Sequence, residues 1–420
     1  MPYVLGIDIG STTTAAAVVR SQGSSWGPPE IVRLTRSDAP VPSVLLMAAN
    51  RSIAVGDPAD YGDQVDSGRI ARGFSLRIGD DVPLLLGGEP CTAQALTAML
   101  AMWVVERVVE QEGEQPDLVA LSHPAPWGAY RRQLLSEALW EIGLTDVALL
   151  PAPVAAAAEH AARNRAGRTL AVYTLGGNTF EPAVVNRAQP LGYELRGFLP
   201  DAEPLGGADF DEALVEHVRT GLGRELGDVT DPLVRQALIE LRLECARVKV
   251  ELSTADTAQV RLRLPDRQLR VPVTRAEFEE LIRPAVLLTV EDLLRTVRSC
   301  GLTPAELDGV LLAGGSARIP LVQELVAEQL PVPIDTAPDP RLAVAAGAGL
   351  AGCQILDRRR GNRPPPRPPV MRPPRAGFRR EELQRRGRGR TGPAVRPDRE
   401  PARDAEEHAR MPPRPPVRIT

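Results

Sequence analysis

Two short segments of the chain have the residue types that can hold an anion. Residues 4–19 read VLGIDIGSTTTAAAVV, and residues 170–185 read LAVYTLGGNTFEPAVV. The segments are offset by 166 positions (170 minus 4), and each consists of a β-rich run, a turn of small polar residues and a second β-rich run. Glycines in such turns allow backbone N–H groups to approach an anion closely. The pair predicts a duplicated fold that grips a polyphosphate from both sides.

The two segments differ in the residue that precedes the turn. Asp8 ends the first strand just before its turn, where the carboxylate could reach a phosphate-bound Mg²⁺ through water. The residue at the corresponding position of the second segment is Thr174. The sequence therefore predicts two phosphate-binding turns, of which the second lacks the metal-side carboxylate.

The elements that must position these turns alternate along the chain. Strand-like and helix-like segments follow one another over two similar halves, which indicates an α/β architecture with mixed sheets. The chain has 420 residues, of which 43% are hydrophobic, so it can bury a large core in two lobes. Helices are predicted at residues 93–112, 130–142, 154–163, 209–222, 232–252, 275–301, 321–330 and 343–356.

The spacing of the cysteines and histidines argues against a zinc site. The four Cys and four His residues are far apart and form no CxxC pair, so we expect free thiols in a reducing cytoplasm. The N-terminal sequence MPYVLGIDIG leads directly into a strand, so no secretory signal is expected. The most apolar helical stretch, residues 95–105, is too short to span a bilayer. A cytoplasmic protein is predicted.

Residues 357–420 differ in composition from the rest of the chain. They contain 19 Arg, 8 acidic residues and 14 of the 41 prolines, so they carry +11 (19 minus 8) and the remainder carries −15 (−4 minus 11). Too few apolar residues remain to offset the entropy of ordering, so we expect a disordered tail with polyproline character. Such a tail is more typical of a tether or a ligand for a protein partner than of a nucleic-acid-binding arm. The sequence does not indicate an oligomeric state.

Several motifs together resemble the nucleotide-binding domain of the heat-shock protein 70 (DnaK-type) chaperone family. GIDIGSTTT and LGGNTFE resemble its two phosphate loops, LGGADFD its hinge near the ribose, ARVKVELST its adenine-side helix and LLAGGSARIP its adenosine loop. The motifs occur in the family's order over roughly residues 3–353. The resemblance implies a duplicated actin-like ATPase fold, in which lobe I (1–168) and lobe II (169–356) enclose a nucleotide cleft and precede the tail (357–420).

Other nucleotide-binding motifs fit less well. The P-loop pattern GxxxxGK[ST] does not occur in the chain. The pattern GxGxxG starts at Gly347 and at Gly387, but the first lies in an Ala-rich helical segment and the second in the tail. Neither follows a strand and opens a helix, as a dinucleotide-binding turn requires. Sugar kinases share the actin-like fold, but LGGADFD and GGSARIP resemble the chaperone branch more closely.

The resemblance also implies which residues bind ATP or ADP and Mg²⁺. At the phosphates it implies Gly10, Ser11, Thr12, Thr13, Gly176, Gly177, Asn178 and Thr179. At the adenosine it implies Gly207, Lys249, Ser253, Gly314, Gly315, Ser316 and Arg318. It further implies that Asp8 holds Mg²⁺ through water and that Thr179 lies near the γ-phosphate, so both are predicted to be catalytic.

The chain departs from the family pattern at positions that matter for hydrolysis. By the resemblance, carboxylates of the family are replaced at Ala152 and Thr174. The catalytic lysine of the family falls near Ser75 or Leu76, and the nearest cation in the sequence is Arg77. In phosphoryl transfer, such groups position water and metal and stabilise charge, so their loss predicts weaker catalysis.

Two binding contacts are altered as well. Asn178 replaces a glycine of the second phosphate loop, although Asn tolerates left-handed backbone angles better than most residues. Ala246 replaces a glutamate that bonds the ribose in the family, so one contact to the sugar is lost.

We therefore expect an ATP-binding, DnaK-like protein without the family's peptide-binding domain, because the resemblance stops where that domain and its linker would begin. The replaced residues favour a nucleotide-gated chaperone-like or regulatory protein with slow or no hydrolysis. The alternative is an active ATPase of the chaperone class that assists protein folding, with Arg77 and other groups standing in for the lost residues. A small-molecule kinase fits less well, because Glu181 is the only acidic residue close to the second turn.

Overall fold

The fold is taken from a computed structural model that describes residues 1–35, 40–48, 50–56, 66–163, 167–188, 192–200, 204–226, 231–264 and 267–361. Contacts group residues Met1–Arg363 into one unit, which contains all of the described residues. The predicted tail at 357–420 therefore lies mainly outside the described residues.

Strands and helices alternate in the described part of the chain, as the sequence predicts. The strands are β1 (Tyr3–Ile9), β2 (Thr13–Gln22), β3 (Ser25–Trp26), β4 (Glu30–Ile31), β5 (Val41–Pro42), β6 (Val44–Met47), β7 (Ile53–Val55), β8 (Ile70–Arg72), β9 (Leu84–Leu86), β10 (Glu89–Cys91), β11 (Leu118–His123), β12 (Val147–Pro151), β13 (Thr169–Leu175), β14 (Phe180–Arg187), β15 (Tyr193–Phe198), β16 (Thr257–Arg263), β17 (Gln268–Thr274), β18 (Gly309–Ala313) and β19 (Ile334–Thr336). The α-helices are α1 (Ala93–Glu112), α2 (Ala129–Glu141), α3 (Ala152–Ala162), α4 (Gly207–Leu222), α5 (Pro232–Leu252), α6 (Arg275–Ser299), α7 (Pro320–Gln329) and α8 (Ala343–Gly361).

Two mixed sheets share one strand arrangement. The first runs β12-β11-β1-β2, with the short strands β3, β4 and β5 attached to β2. The second runs β15-β14-β13-β18-β19. In each sheet the predicted hairpin (β1–β2 or β13–β14) is antiparallel. On the other side of the hairpin's first strand, two further strands run parallel to it, β11 and β12 in the first sheet and β18 and β19 in the second. The duplication seen in the sequence therefore extends to four strands of each sheet.

Local sequence signals explain where the elements form. β1 and β13 are apolar along most of their length and are mostly buried. β16 alternates instead, so that Ala258, Val260 and Leu262 are buried while the residues between them are exposed. Helix α6 begins with a capping box, in which Thr274 Oγ1 accepts from the Glu277 N–H (3.2 Å) and Glu277 accepts from the Thr274 N–H (2.8 Å).

Three apolar clusters hold these layers together. The first lies between the first sheet and helices α1 and α2, and the second between the second sheet and helices α4 to α7. The third joins the two sheets through α3 and α8, whose facing residues are mainly alanines such as Ala155 and Ala348. Small side chains allow these two helices to pack closely where the sheets meet.

Helix α3 starts two residues before its predicted first residue, Val154. It begins at Ala152, with Pro151 as its N-cap and Pro153 in its first turn. The first N–H groups of a helix have no intrahelical acceptor, so proline costs nothing there. Both prolines are therefore compatible with the start of the helix.

The last described helix continues beyond Leu356, the predicted end of the globular part, to Gly361. Its final turns are hydrogen-bonded to β3 and to the residue that precedes β11. The Trp26 indole N–H donates to Asp357 (3.0 Å), and the Arg360 guanidinium donates to Asp117 (2.7 Å).

The four cysteines are free, as the sequence predicts. Within the described ranges, the helices are too short or too polar to cross a membrane.

Candidate functional site

One cavity of about 610 Å³ brings together most of the predicted site residues. Its wall includes the residues that directly follow β1, β11, β13 and β18, the edge at which open α/β sheets bind ligands. The predicted residues in the wall are Asp8, Gly10, Ser11, Thr12, Thr13, Ser75, Ala152, Thr174, Gly176, Gly177, Thr179, Lys249, Ser253, Gly314, Gly315, Ser316 and Arg318. Asn178 and Gly207 were predicted too, but they do not line the cavity.

The loops of the two hairpins have the same internal hydrogen bond. The Gly10 N–H donates to the Thr13 carbonyl (3.0 Å), and the Gly176 N–H donates to the Thr179 carbonyl (2.9 Å). Each pair of positions is separated by the same 166 residues (176 minus 10 and 179 minus 13). The two segments that repeat in sequence therefore form loops closed by the same hydrogen bond.

The two loops also touch each other. The Ser11 hydroxyl donates to Asn178 Oδ1 (3.3 Å), which places Asn178 at the contact between the loops. A Cβ atom on Gly177 would overlap the side chain of Thr12. Any side chain at position 177 would therefore have to displace the side chain of Thr12.

Loops of the second sheet meet at the carbonyl of Gly176. It accepts from the Gly207 N–H (3.0 Å) and from the Ser316 hydroxyl (2.9 Å). Gly314 has a left-handed backbone (φ 88°), and a Cβ there would overlap the carbonyl of Leu175. Gly207 thus contacts the wall residue Gly176 without lining the cavity itself.

Lys249 and Ser253 lie one turn apart near the end of α5, as the sequence predicts. Lys249 Nζ donates to the Gly207 carbonyl (2.7 Å) and lies 2.8 Å from Asp211 Oδ1. Ser253 Oγ donates to the Lys249 carbonyl at the longer distance of 3.4 Å. At this end of the cavity, Lys249 therefore joins α5 to the first turns of α4.

Asp8 is half-buried in the cavity wall and accepts a hydrogen bond from the Ser122 hydroxyl (2.5 Å). Burial raises the pKa of Asp8 to about 6, and the Ser122 hydrogen bond opposes that rise. A carboxylate so placed gains from a nearby cation, because the cation favours its ionised form.

Glu181 is a second carboxylate in the wall, and sequence reasoning did not include it among the site residues. It lies directly across from Thr174 in the β13–β14 pair and accepts from the Ala125 N–H (3.4 Å). Burial raises the pKa of Glu181 to about 7, the Ala125 hydrogen bond opposes this, and the charge of Asp8 raises it further. The hydroxyl of Thr174 is buried, with no hydrogen-bond partner in the described part of the chain.

The chain matches the Hsp70 protein family over residues 81–362, which is 282 of its 420 residues (362 minus 81, plus one). It belongs to the Hsp70 family. The match confirms the resemblance and implies an actin-like ATPase domain. The first hairpin precedes the matched range, so its place in the site is known from the loop geometry alone.

Two of the departures from the Hsp70 pattern lie in the cavity wall. Ser75 and Ala152 line the cavity, so their positions face it without a cation or a carboxylate. Arg77 does not line the cavity. Its guanidinium is held by Asp80 (3.2 Å) and by the Val82 carbonyl (3.0 Å). Arg77 is therefore not placed to replace the lysine.

Hsp70 proteins bind ATP or ADP with Mg²⁺, an ion that needs oxygen ligands at its site. No group of three or more His, Cys, Asp or Glu residues that could hold a metal occurs in the ranges described. Mg²⁺ in nucleotide sites usually takes one or two carboxylates plus phosphate oxygens and water. Asp8 and Glu181, two carboxylates in electrostatic contact, fit that requirement.

Glu181 could have been found from the repeat. Adding 166 to Ala15 gives 181, and Ala15 lies opposite Asp8 in the first hairpin, just as Glu181 lies opposite Thr174 in the second. The first strand of the second hairpin has lost the aspartate, but the cross-strand pair of that hairpin still contains a carboxylate.

Proposed function

We propose that this Hsp70-family protein binds ATP or ADP with Mg²⁺ between two actin-like lobes and acts as a nucleotide-gated chaperone-like or regulatory protein that hydrolyses ATP slowly. The observation that carries this proposal is the pair of loops, Gly10–Thr13 and Gly176–Thr179, closed by the same hydrogen bond and lining one cavity. Backbone N–H groups and hydroxyls presented from two sides suit a chain of phosphates.

The other wall residues have separate tasks in this proposal. Lys249 and Ser253 bind on the adenosine side, and the planar guanidinium of Arg318 stacks on the base. Asp8 and Glu181 orient water beside the phosphates, since ionised carboxylates accept hydrogen bonds from water. Mg²⁺, when bound with the nucleotide, supplies neutralising charge at the phosphates.

Slow hydrolysis follows from the side chains at two wall positions. Ser75 brings no positive charge toward the phosphates, and Ala152 brings no carboxylate toward the attacking water. Losing a single electrostatic group of this kind lowers a rate by about 10²-fold. The two losses need not multiply, because groups that act as a unit are not additive.

Glu181 favours a second candidate, an active ATPase of the chaperone class. Its carboxylate lies opposite Thr174 and interacts with Asp8, so the metal side of the cavity holds two acids. In this case Glu181 accepts the proton of the attacking water or orders the water around the metal.

Single-turnover hydrolysis of radiolabelled ATP, together with calorimetric titration of ATP and ADP with and without Mg²⁺, tests both candidates. We expect both nucleotides to bind, and hydrolysis to be slower than ATP dissociation. Hydrolysis that outpaces dissociation, and is lost in Glu181→Gln and Thr179→Ala, would establish the active ATPase. If neither nucleotide binds, both candidates are wrong.

A further inference from the structure

The cavity also extends to the side of β11 that faces helices α1 and α2. Side chains alternate between the two faces of a strand, and Ser122, whose hydroxyl donates to Asp8, lies on one face. Leu121 and His123 lie on the other face, where Leu121 belongs to the first apolar cluster. His123 stacks on Trp127, which packs against the same cluster, with ring centroids 5.7 Å apart and 9° between the ring planes. Residues from both faces of β11 therefore line one cavity.

We name the part of the cavity on the helix side the β11 branch and define it by its wall residues Thr97, Leu121, His123, Trp127 and Leu135. Thr97 is on α1 and Leu135 is on α2, so the branch lies between these helices and the first sheet. Thr97, Leu121 and Leu135 are almost completely buried, with 2%, 1% and 1% exposed. The Thr97 hydroxyl already donates to the Ala93 carbonyl of its own helix (2.9 Å). The walls of the branch are therefore mainly apolar.

A buried nitrogen atom of the β11 branch lacks a hydrogen-bond partner among the described residues. His123 is 3% exposed, and the unpartnered atom is its Nε2. The Nδ1 atom is 2.7 Å from the Pro124 carbonyl, which can only accept, so Nδ1 carries the proton. Burial lowers the pKa of His123, the hydrogen bond to Pro124 opposes this, and the charge of Arg132 lowers the pKa further. The ring is therefore neutral near pH 7, and its Nε2 atom is an acceptor.

His160 provides an internal comparison. Its Nδ1 atom is 2.8 Å from Asp335 Oδ2, and its Nε2 atom also has no hydrogen-bond partner in the ranges that the structure describes. His160 does not line the cavity, whereas His123 does. Only the acceptor of His123, of these two, is therefore presented to a ligand.

We propose that the β11 branch binds a small aromatic molecule whose hydroxyl or N–H group donates a hydrogen bond to His123 Nε2. Ligand sites typically combine apolar walls with a few polar groups that fix the orientation of the ligand. An aromatic ring suits walls made by leucines and Trp127. A molecule of the same shape without the donor leaves a buried acceptor unpaired, which is costly. The branch residues have no part in the proposed nucleotide contacts, so this inference goes beyond the proposed function.

The test uses phenol and toluene as probes, because they have nearly the same shape and differ in the donor. Calorimetric or NMR titration of the full chain gives both affinities. The wild type is expected to bind phenol about tenfold or more tightly than toluene, the factor that corresponds to one hydrogen bond to a buried acceptor. Equal affinities, tighter binding of toluene, or no binding of phenol would overturn the inference without any variant.

Two variants assign the preference to His123. His123→Phe keeps an aromatic ring against Trp127 and removes the acceptor, so toluene should bind at least as tightly as phenol. The matched control is His217→Phe, on α4 and outside the cavity wall, which should keep the wild-type preference. A preference for phenol that survives in His123→Phe would show that another group accepts the hydrogen bond, and the inference would be wrong.

A final measurement separates this site from the nucleotide. Phenol should still bind when Mg²⁺-ADP is present at a saturating concentration. If ADP displaces phenol, the probe occupies the place of the nucleotide and the inference is wrong. If ADP does not bind at all, the proposed function is wrong, whereas the phenol preference and its loss in His123→Phe still support the β11 branch.

Discussion

The two hairpins that reach the cavity close their loops with the same hydrogen bond but carry their carboxylates on different strands. In the first hairpin the cross-strand pair is Asp8 on β1 and Ala15 on β2. In the second it is Thr174 on β13 and Glu181 on β14. Directly opposed residues of an antiparallel pair have Cβ atoms about 5 Å apart, so an acid on either strand reaches the same region. The pair, rather than the single position, is what the two hairpins have in common.

The two acids are also held differently. Both are contacted by the segment that ends β11 and follows it, since Ser122 donates its hydroxyl to Asp8 and Ala125 donates its N–H to Glu181. The contact to Asp8 is short (2.5 Å), whereas the contact to Glu181 is long (3.4 Å). Burial raises the pKa of both acids, from 3.8 to about 6 for Asp8 and from 4.5 to about 7 for Glu181, and each hydrogen bond opposes the rise. The charge of Asp8 raises the pKa of Glu181 further.

The largest effect is expected at the contact between the loops. Gly177→Val would push against Thr12 and separate the loops, so the stabilisation by Mg²⁺-ATP should disappear from thermal melts. A ligand that binds only the native state adds ~2.7 kcal/mol at a hundredfold excess over Kd, and this term would be lost. The matched control is Ser11→Val, at the equivalent position of the first hairpin (177 minus 166). We expect that variant to keep at least part of the stabilisation, so equal losses would contradict a special role for Gly177.

Glu181→Gln tests whether the acid on β14 takes part in catalysis. The substitution keeps the shape of the side chain and removes its charge, and single-turnover hydrolysis at saturating ATP is expected to slow by about 10²-fold. Asp8→Asn should have a similar effect, since both acids face the same region. An unchanged rate in Glu181→Gln, with Asp8→Asn inactive, would show that the two hairpins differ in function as well as in layout.

The raised pKa values predict a pH dependence of stability in the nucleotide-free protein. In the unfolded chain Glu181 releases its proton near the ordinary glutamate pKa of 4.5, whereas in the folded protein it keeps the proton until about pH 7. The folded state therefore binds more protons between those values, and the free energy of unfolding falls as the pH rises through this window, by about 2 kcal/mol. Denaturant unfolding from about pH 5 to about pH 7.5 measures this. The slope should flatten in Glu181→Gln, and an unchanged slope would mean that other groups cause it.

Sequence reasoning was accurate where one residue type decides the local structure. Apolar periodicity predicted α1 and α5 at their observed bounds. The repeated loops predicted a site made by both halves of the chain, and residues from both loops line one cavity. It was incomplete where the function depends on pairing between strands. Glu181 was considered only as a kinase base, because the register that places it opposite Thr174 is a property of the folded hairpin. The end of α8 was also placed too early, because its last turns are held by the long-range partners Trp26 and Asp117.

A carboxylate exchange within the second hairpin gives the sharpest test of the comparison. The double variant Thr174→Asp, Glu181→Ala gives the pair the same residues as Asp8 and Ala15 in the first hairpin. If either strand can supply the acid, single-turnover hydrolysis should recover at least about tenfold relative to Glu181→Ala alone, which is ~1.4 kcal/mol of transition-state stabilisation. The gain should appear in kcat and not in ATP affinity, because the loops and the adenosine end supply ground-state binding.

The single variant Thr174→Asp is the matched control for this exchange. It places two acids directly opposite each other beside Asp8, and like charges at opposed positions are destabilising, so the free energy of unfolding should fall near neutral pH without the same gain in rate. No recovery in the double variant, together with normal ATP binding, would mean that the longer side chain of Glu181 reaches a point that an aspartate on β13 does not. In that case the carboxylate of Glu181 acts at a different point of the site from the one that an aspartate at position 174 would reach. The two hairpins would then share only the geometry of their loops.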